Sequence, residues 1–310
     1  MKSVCLAILN YNGIRHLEFL LPTAITAVAK YGRTCPIVVL DNGSSEGDLP
    51  WINSHFPGVE LESAPKNDYL YSYNWLLQKR EEDVVVILNN DLRLAQNFLA
   101  PLLRYFDLPD VFAVGATSRD WDDTMFTCGP ARLKSHHGHC YWDWDRDHQT
   151  LSHTLFASGG FMAVDRKKFL ELGGFNHLFH PAYGEDLDLC FRAWRRGWRT
   201  IFEPASVVFH RENASWNDDR DDRSARLILR AQLLFQWSSI PPTASLLERS
   251  AFFCLTAWRK LLRGQSWWLR VWIRTWWEWL RQKKEHRALM TPPDELTKIL
   301  YRIAKPVNKE

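Results

Sequence analysis

Three short runs limit what this chain can become. Residues 3–9, 37–41 (IVVLD) and 84–88 (VVVIL) are continuous, apolar and rich in β-branched side chains. Such runs suit strands buried on both faces, as in parallel sheets covered by helices. Between the first two lies HLEFLLPTAITAVAKYG, a helical stretch with Pro22 near its start and Gly32 at its end. Further helices are expected over 68–80 and 96–106. The alternation predicts an α/β fold, a doubly wound, mostly parallel sheet flanked by helices. In open sheets of this kind ligands bind beyond the carboxyl ends of the strands. Three polar clusters stand there: Asn10-Tyr11-Asn12-Gly13, Asp41-Asn42-Gly43-Ser44-Ser45 and Asn89-Asn90-Asp91. One crevice is expected to collect all three.

The second half is less regular. Residues 116–153 read as loop, and TLFASGGFMAV (154–164) as a strand. A short helix at 165–171, the Gly173-Gly174 turn and a helix over 184–198 follow. A strand pair at 200–203 and 206–209 ends at His210. The composition then shifts. NDDRDDR (217–223) opens a helix to about 238, with Asp219–Arg223 and Asp222–Arg226 at i,i+4 spacing. Pro241-Pro242 ends it, and a Trp- and Arg-rich tail runs to 290. The chain thus divides into an α/β unit, 1–216, and a helical C-terminal extension, 217–310.

Bulk properties exclude several classes. A net charge of +3 over 310 residues is too small for a nucleic-acid binder. The six cysteines have no paired CxxC spacing, which points to a reducing compartment. No charged segment with a cleavage site precedes the first strand, so no signal peptide is expected. No uncharged apolar run reaches about 18 residues, the length a spanning helix needs. A cytoplasmic location is the expectation.

Asp41 and Asp91 both end buried strands. A diphosphate leaving group needs its charge neutralised, and a hard divalent cation held by carboxylate oxygen does this. Asp91 suits that ligand, and Asp41 suits hydrogen bonds from a ribose or base. The alternative is ordinary turn chemistry, since Asp-Asn-Gly is a common turn. His210 would complete an oxygen-plus-imidazole site that accepts Mn²⁺ as well as Mg²⁺. A lone histidine is otherwise a structural or surface residue.

GEDLDLCFRAWRRGW (184–198) places two adjacent carboxylates at a helix start. Leu187, Cys190, Phe191 and Trp194 recur at i, i+3, i+4, i+7, so the segment is amphipathic. Asp188–Arg192 fits an i,i+4 pair, and Gly197 a C-terminal stop. Capping accounts for one carboxylate at the N-terminus. The second, beside Tyr183-Gly184, is placed to take a proton from a nucleophilic hydroxyl. Its neighbour would orient the incoming group.

Two further segments stand out. CGPARLKSHHGHCYWDWDRDH (128–148) gathers Cys128, His136, His137, His139 and Cys140, at spacings that fit no familiar zinc pattern. It reads instead as an acceptor-facing loop, with Trp142 and Trp144 offering faces to sugar rings. A solvent loop is the alternative. In the tail, Trp268, Trp272, Trp276 and Trp279 recur at helical spacing among Arg270, Arg274 and Arg281. Such helices lie in a bilayer interface beside anionic lipid. Packing against the α/β unit or a second subunit is the alternative.

Taken in order, LAILNYNG, VVLDNGSSEGD, VVVILNNDLRL, FASGGFMAVDRKKFLELGGF, GEDLDLCFRAWRRGW and VVFH resemble the family 2 glycosyltransferases with the GT-A fold. The flavour is that of bacterial rhamnosyl- and galactofuranosyltransferase-like members that build surface polysaccharides, and the likeness spans roughly 3–212. The resemblance implies a GT-A catalytic domain over 1–216. It implies that Asn10 and Asp41 contact the nucleoside of a UDP- or dTDP-sugar. Asn89-Asn90-Asp91 stands at the DxD-like position, with Asp91 the ligand of Mn²⁺ or Mg²⁺ and His210 a second ligand. Asp186 would be the general base beside Glu185, with Asp188 near the acceptor. Arg192, Arg195 and Arg196 would offset diphosphate charge. The implied chemistry is one inverting displacement onto a hydroxyl of a glycan or lipid-linked acceptor, on the cytoplasmic face of a membrane. Two departures matter. Asn89 replaces the first acid of the motif, which leaves a catalytically silent sugar-binding module, or a membrane adaptor built on the tail, as alternatives. KNDYLYSYN (66–74) replaces a Gly-rich segment and reshapes the pocket.

Overall fold

A computed structural model describes residues 2–45, 47–211, 223–242, 244–282 and 289–307. The three apolar runs form β1 (Val4–Asn10), β2 (Ile37–Asp41) and β4 (Val84–Asn89), all parallel. An edge strand, β3 (Glu60–Ser63), extends the sheet. Its sequence ELES carries no apolar run, so the pattern did not betray it. β5 (Leu92–Leu94), β6 (Val111–Asp120), β10 (Phe161–Asp165) and β11 (Arg199–His210) complete the order β3-β2-β1-β4-β10-β6-β11-β5. β10 runs antiparallel between β4 and β6, so the sheet is mixed around its middle.

Side chains of β1 alternate between two layers, as the pleat requires. Val4, Leu6 and Ile8 meet α1 (Ile14–Tyr31), whereas Cys5 and Ala7 face the cluster that includes Leu187 and Phe191. Pro22 lies inside α1 rather than near its start. The helix ends at Gly32, whose φ of 70° only glycine adopts without strain. The helix expected over 68–80 divides into a 3₁₀ turn, Tyr69–Tyr71, and α3 (Ser72–Lys79), after α2 (Asp48–His55). α4 keeps only Leu99–Leu103 of the stretch 96–106.

Residues 116–153 are not loop. Besides the end of β6 and a short β9 (Ser152–His153), they contain the hairpin β7 (Ala131–His136) and β8 (His139–Trp144). His137 and Gly138, at φ 48° and 73°, make its two-residue turn. Conversely, the expected strand 154–164 is extended only over β10, because the Gly159-Gly160 bend precedes it. α5 (Arg166–Glu171) and α6 (Glu185–Arg195) follow. The strand pair after them is one strand, β11, with its register shift between Glu203 and Val207.

The extension supplies α7 (Arg223–Ser239), α8 (Leu246–Leu262), α9 (Ser266–Arg281) and α10 (Pro293–Ala304). Asp219 and Asp222 lie outside the described residues. Leu234 and Phe235 of α7 and Leu296 and Ile299 of α10 belong to the same buried cluster as Phe191 and Trp194. The boundary at 216 therefore separates no hydrophobic core. The tryptophan stripe expected to face lipid packs in part against the chain itself: Trp272, Trp276 and Trp279 lie 5.4, 5.5 and 6.2 Å from Trp237 of α7, and Trp276 stays exposed. Among the described residues, no helix is long and apolar enough to cross a membrane.

Candidate active site

The three polar strand ends meet, and Asn10 is their hub. Its amide donates to Asp48 at 2.8 Å and lies 3.4 Å from both Asp41 and Ser44. Its oxygen accepts from Asn90 at 2.9 Å. Gly13 has to be glycine here, because a Cβ would stand 2.0 Å from the Asn90 amide. Asp41 accepts from the backbone of Gly43 and Ser44 and from the Ser44 hydroxyl. Asn42 braces the neighbouring turn through Asn67, Tyr69, Asp68 and Ser72. Asn10 and Asp41 are thus almost wholly buried, and their side chains hold the 41–48 loop in shape.

Asp91 and His210 come together as β5 crosses β11. His210 Nε2 lies 3.4 Å from Asp91 Oδ2, and the register pairs His210 with Leu92. Two ligands at right angles on a cation with bonds of about 2.1 Å stand about 3 Å apart. The spacing of this carboxylate and imidazole is compatible with two ligands of one Mn²⁺ or Mg²⁺. Among the described residues, no group of three or more His, Cys, Asp or Glu is arranged for a metal. His16, from α1, adjoins this site: burial lowers its pKa, against the pull of the Asp91 charge.

A bend links this half to the acidic pair. Gly159 N–H donates to Asp186 Oδ2 at 3.0 Å, and Gly160 C=O accepts from Asn89 N–H at 2.8 Å. The next residue, Phe161, lies 6.3 Å from the His210 ring. A Cβ at Gly159 would meet Leu70 at 2.6 Å, and one at Gly160 would meet Asn89 at 2.9 Å. Both glycines permit the close approach. Asp41, Asn89, Asp91, Asp186 and His210 are therefore joined through one chain of contacts by way of Asn10, Asn90 and the Gly159-Gly160 bend.

Glu185 and Asp186 begin α6 after Gly184, whose φ is 87°. Burial raises both carboxyls above their ordinary values of 4.5 and 3.8. The Asp186 charge raises Glu185 further, and Glu185 Oε2 is buried without a hydrogen bond among the described residues. Asp186 instead accepts two backbone N–H groups, from Gly159 and Leu187, which favour its ionised form. Backbone donation thus opposes the effect of burial at Asp186, whereas at Glu185 burial and the neighbouring charge act in the same upward direction.

Several residues stand elsewhere than the sequence suggested. Arg192 does not face the crevice: its Nε and Nη2 bind Asp188 at 2.8 and 2.7 Å, and its other donors reach Leu172 and Gly174 carbonyls. Asp188 is correspondingly 1% exposed and holds no acceptor. Arg195 binds Leu289 C=O and Glu295. Trp142 and Trp144 pack on Phe156, at 6.3 and 4.7 Å, because β8 is a strand whose alternate residues turn inward. His136, His137 and His139 ring Phe252 of α8 instead of a metal.

Other residues of the site carried no sequence signal. Asp48 anchors Asn10 and Gly13. Tyr71, 1% exposed, stacks on His177 at 4.6 Å, and its phenol is pushed up by burial and by the Glu185 charge. Asp68 pairs with His177 and Lys66. The Gly159-Gly160 doublet was read as part of a strand, although glycines inside a strand pattern are the signal that could have marked a bend or a close approach there.

Residues 22–227 match the glycosyltransferase-like family 2. An N-acetylglucosaminyl-diphospho-decaprenol L-rhamnosyltransferase of Mycobacterium tuberculosis is 24% identical over 238 residues, 68% of this chain and 76% of the relative. An uncharacterised protein of Sinorhizobium fredii is 25% identical over 68% of this chain, which spans only 25% of that protein's length. Among solved structures, GalNAc-T7 with UDP, GalNAc and Mn²⁺ aligns at TM-score 0.57 and 18% identity, covering 77% of this chain and 48% of that one. The mannosyltransferase PcManGT from Pyrobaculum calidifontis, with GDP-Man and Mn²⁺, aligns at 0.55 and 18%, covering 97% and 85%. Mixed sheet, flanking helices and matched segment agree: the chain belongs to the glycosyltransferase-like family 2 and has the GT-A fold.

Proposed function

We propose that the protein transfers a sugar from a nucleoside-diphosphate sugar to a hydroxyl of a glycan or lipid-linked acceptor, with inversion, in surface-polysaccharide synthesis. The observation that carries this reading is the Ser158–Phe161 bend. It ties the proton acceptor Asp186 to the strand end of Asn89 and Asp91 through two consecutive residues. A base and a diphosphate site so joined suit an in-line displacement between them. Residues 1–216 carry the chemistry in this reading, and 217–310 support it.

Asp186 Oδ accepts the proton of the acceptor hydroxyl as that oxygen forms its bond to the anomeric carbon. The bond from that carbon to the diphosphate oxygen breaks on the opposite face, and the nucleoside diphosphate leaves with its electron pair. In this reading Glu185 holds its own proton and Asp186 is the group that ionises first. Asn10, Asp41 and Asn90 shape the loops that receive the nucleoside. Asp91 and His210 would hold a divalent cation, which when bound supplies positive charge to the departing diphosphate. Arg192 has no part in the transfer: it holds Asp188 and the Leu172–Gly174 turn that follows α5. The UDP, GDP-Man and Mn²⁺ held by the structural neighbours, and the diphospho-decaprenol substrate in the mycobacterial relative's name, support this donor class, cation and acceptor class.

Incubation with a panel of UDP-, dTDP- and GDP-sugars, Mn²⁺ and glycan or polyprenyl-diphosphate acceptors tests the reading. Turnover that disappears in Asp186→Asn while nucleotide binding persists supports it. Nucleotide binding without turnover on any acceptor would instead identify a silent sugar-nucleotide module, the reading that Asn89 favours.

A further inference from the structure

Between the β7–β8 turn and helices α7, α8 and α9 lies a cavity of about 510 Å³. Its walls are mainly apolar, with Leu229, Leu233, Trp237, Phe252, Phe253 and Trp272 prominent beside the polar Gln232 and Gln236. This volume is in the range of ligand sites, about 300–1,000 Å³. Trp268, Trp272 and Trp276 are part of its wall, so their packing leaves room for something with an apolar body.

The cavity opens beside the start of α8. Leu246 lines it and is nevertheless 78% exposed, and Arg249 and His137 stand in the same lining. From that mouth an apolar row continues over the surface. Leu247, Leu255, Trp258 and Leu262 follow one face of α8, and Ile273 and Trp277 one face of α9, all exposed. An exposed apolar surface of this extent needs a cover. Its charge indicates which. Residues 246–281 contain seven Lys or Arg and two Glu, and both acids are engaged within the chain, Glu248 by Ser245 and Glu278 by Arg230. Among the described residues these cations have no acidic partner, and apolar side chains rimmed by such positive charge match an acidic bilayer surface.

We propose that the α8–α9 face rests on an acidic bilayer, and that the cavity draws in one hydrocarbon chain of an anionic lipid through the Leu246 mouth. Arg249, lining that mouth, is placed to hold the lipid phosphate. The proposal does not depend on sugar transfer, and its test needs no donor.

Vesicles of phosphatidylcholine alone, and of phosphatidylcholine with phosphatidylglycerol brominated along its acyl chains, separate the outcomes. The full-length protein is expected to sediment with the acidic vesicles, to be released by high salt, and to lose tryptophan fluorescence to the bromines. Replacing the exposed Arg259, Arg263, Arg270 and Arg274 by Gln should weaken vesicle binding by more than about tenfold. Leu246→Asp, at an exposed position, should reduce quenching at least twofold among bound molecules. Circular dichroism confirms that each variant is folded. No sedimentation at low salt would overturn the proposal, as would binding whose quenching Leu246→Asp leaves unchanged. A stable dimer in ultracentrifugation that the same surface substitutions dissolve would also overturn it, assigning the face to a second copy.

Discussion

Gly159 donates its backbone N–H to Asp186 Oδ2 at 3.0 Å, so the orientation of the proposed base is set by a peptide rather than by a mobile side chain. A methyl group at position 159 would press on Leu70 and stand 3.4 Å from Asp186 Cβ. Gly159→Ala is therefore expected to destabilise the fold by about 1–3 kcal/mol. It should also reduce kcat at least about tenfold, since small misplacements at a reacting group are costly. Nucleotide affinity, measured by calorimetry, should change less than twofold.

The acidic pair predicts a pH profile. With burial raising Asp186 above 3.8, the acid limb of kcat/KM should lie above the range of an ordinary aspartate. Glu185→Gln should leave that limb where it is, because Glu185 is still protonated when Asp186 titrates. A pH–rate profile of the two proteins separates this from a base at position 185, which the same substitution would abolish.

Glu185 also carries a stability signature. A carboxyl whose folded pKa is raised binds its proton more tightly in the folded chain. Stability is then undiminished below the unfolded value of 4.5 and declines as pH rises above it. Glu185→Gln should accordingly melt higher than the parent near pH 8 and at the same temperature near pH 4. Melting curves at the two pH values check the sign.

Asp91 and His210 should act as a pair toward the cation. Chelation with EDTA is expected to stop transfer, and Mn²⁺ to restore it. Asp91→Asn and His210→Gln should each raise the Mn²⁺ concentration for half-maximal activity about tenfold or more. Metal titrations of the purified variants measure this.

Arg192 offers the contrast of a residue important to folding alone. Arg192→Met leaves Asp188 charged in a buried setting, at a cost of about 3–5 kcal/mol. Urea unfolding should show this loss, with donor affinity of the folded fraction unchanged.

The legible parts of the sequence were those written in local patterns. The β-branched runs announced β1, β2 and β4, and the polar residues at their ends meet one another through Asn10. The spacing of Leu187, Phe191 and Trp194 announced α6. What stayed hidden depended on partners distant in the chain. β3 is polar and forms only because β2 offers an edge. Arg192 forms the expected i,i+4 pair with Asp188, but it also looked like a phosphate ligand, because the sequence does not reveal that the carbonyls of Leu172 and Gly174 take its remaining donors. Trp142 and Trp144 looked like sugar platforms because nothing nearby in sequence reveals that Phe156 lies beneath them. A residue type declares its chemistry, and only the fold declares its neighbour.

α6 is gripped at its far end as firmly as at its catalytic one. Arg302 of α10 donates to the carbonyl of Gly197, and Arg195 reaches across to Leu289. A chain shortened to residue 227 would retain every side chain assigned to the chemistry, yet the helix that aims Asp186 would lose its rear mooring. The aim of the proposed base is thus inherited from α10, more than a hundred residues downstream of Asp186.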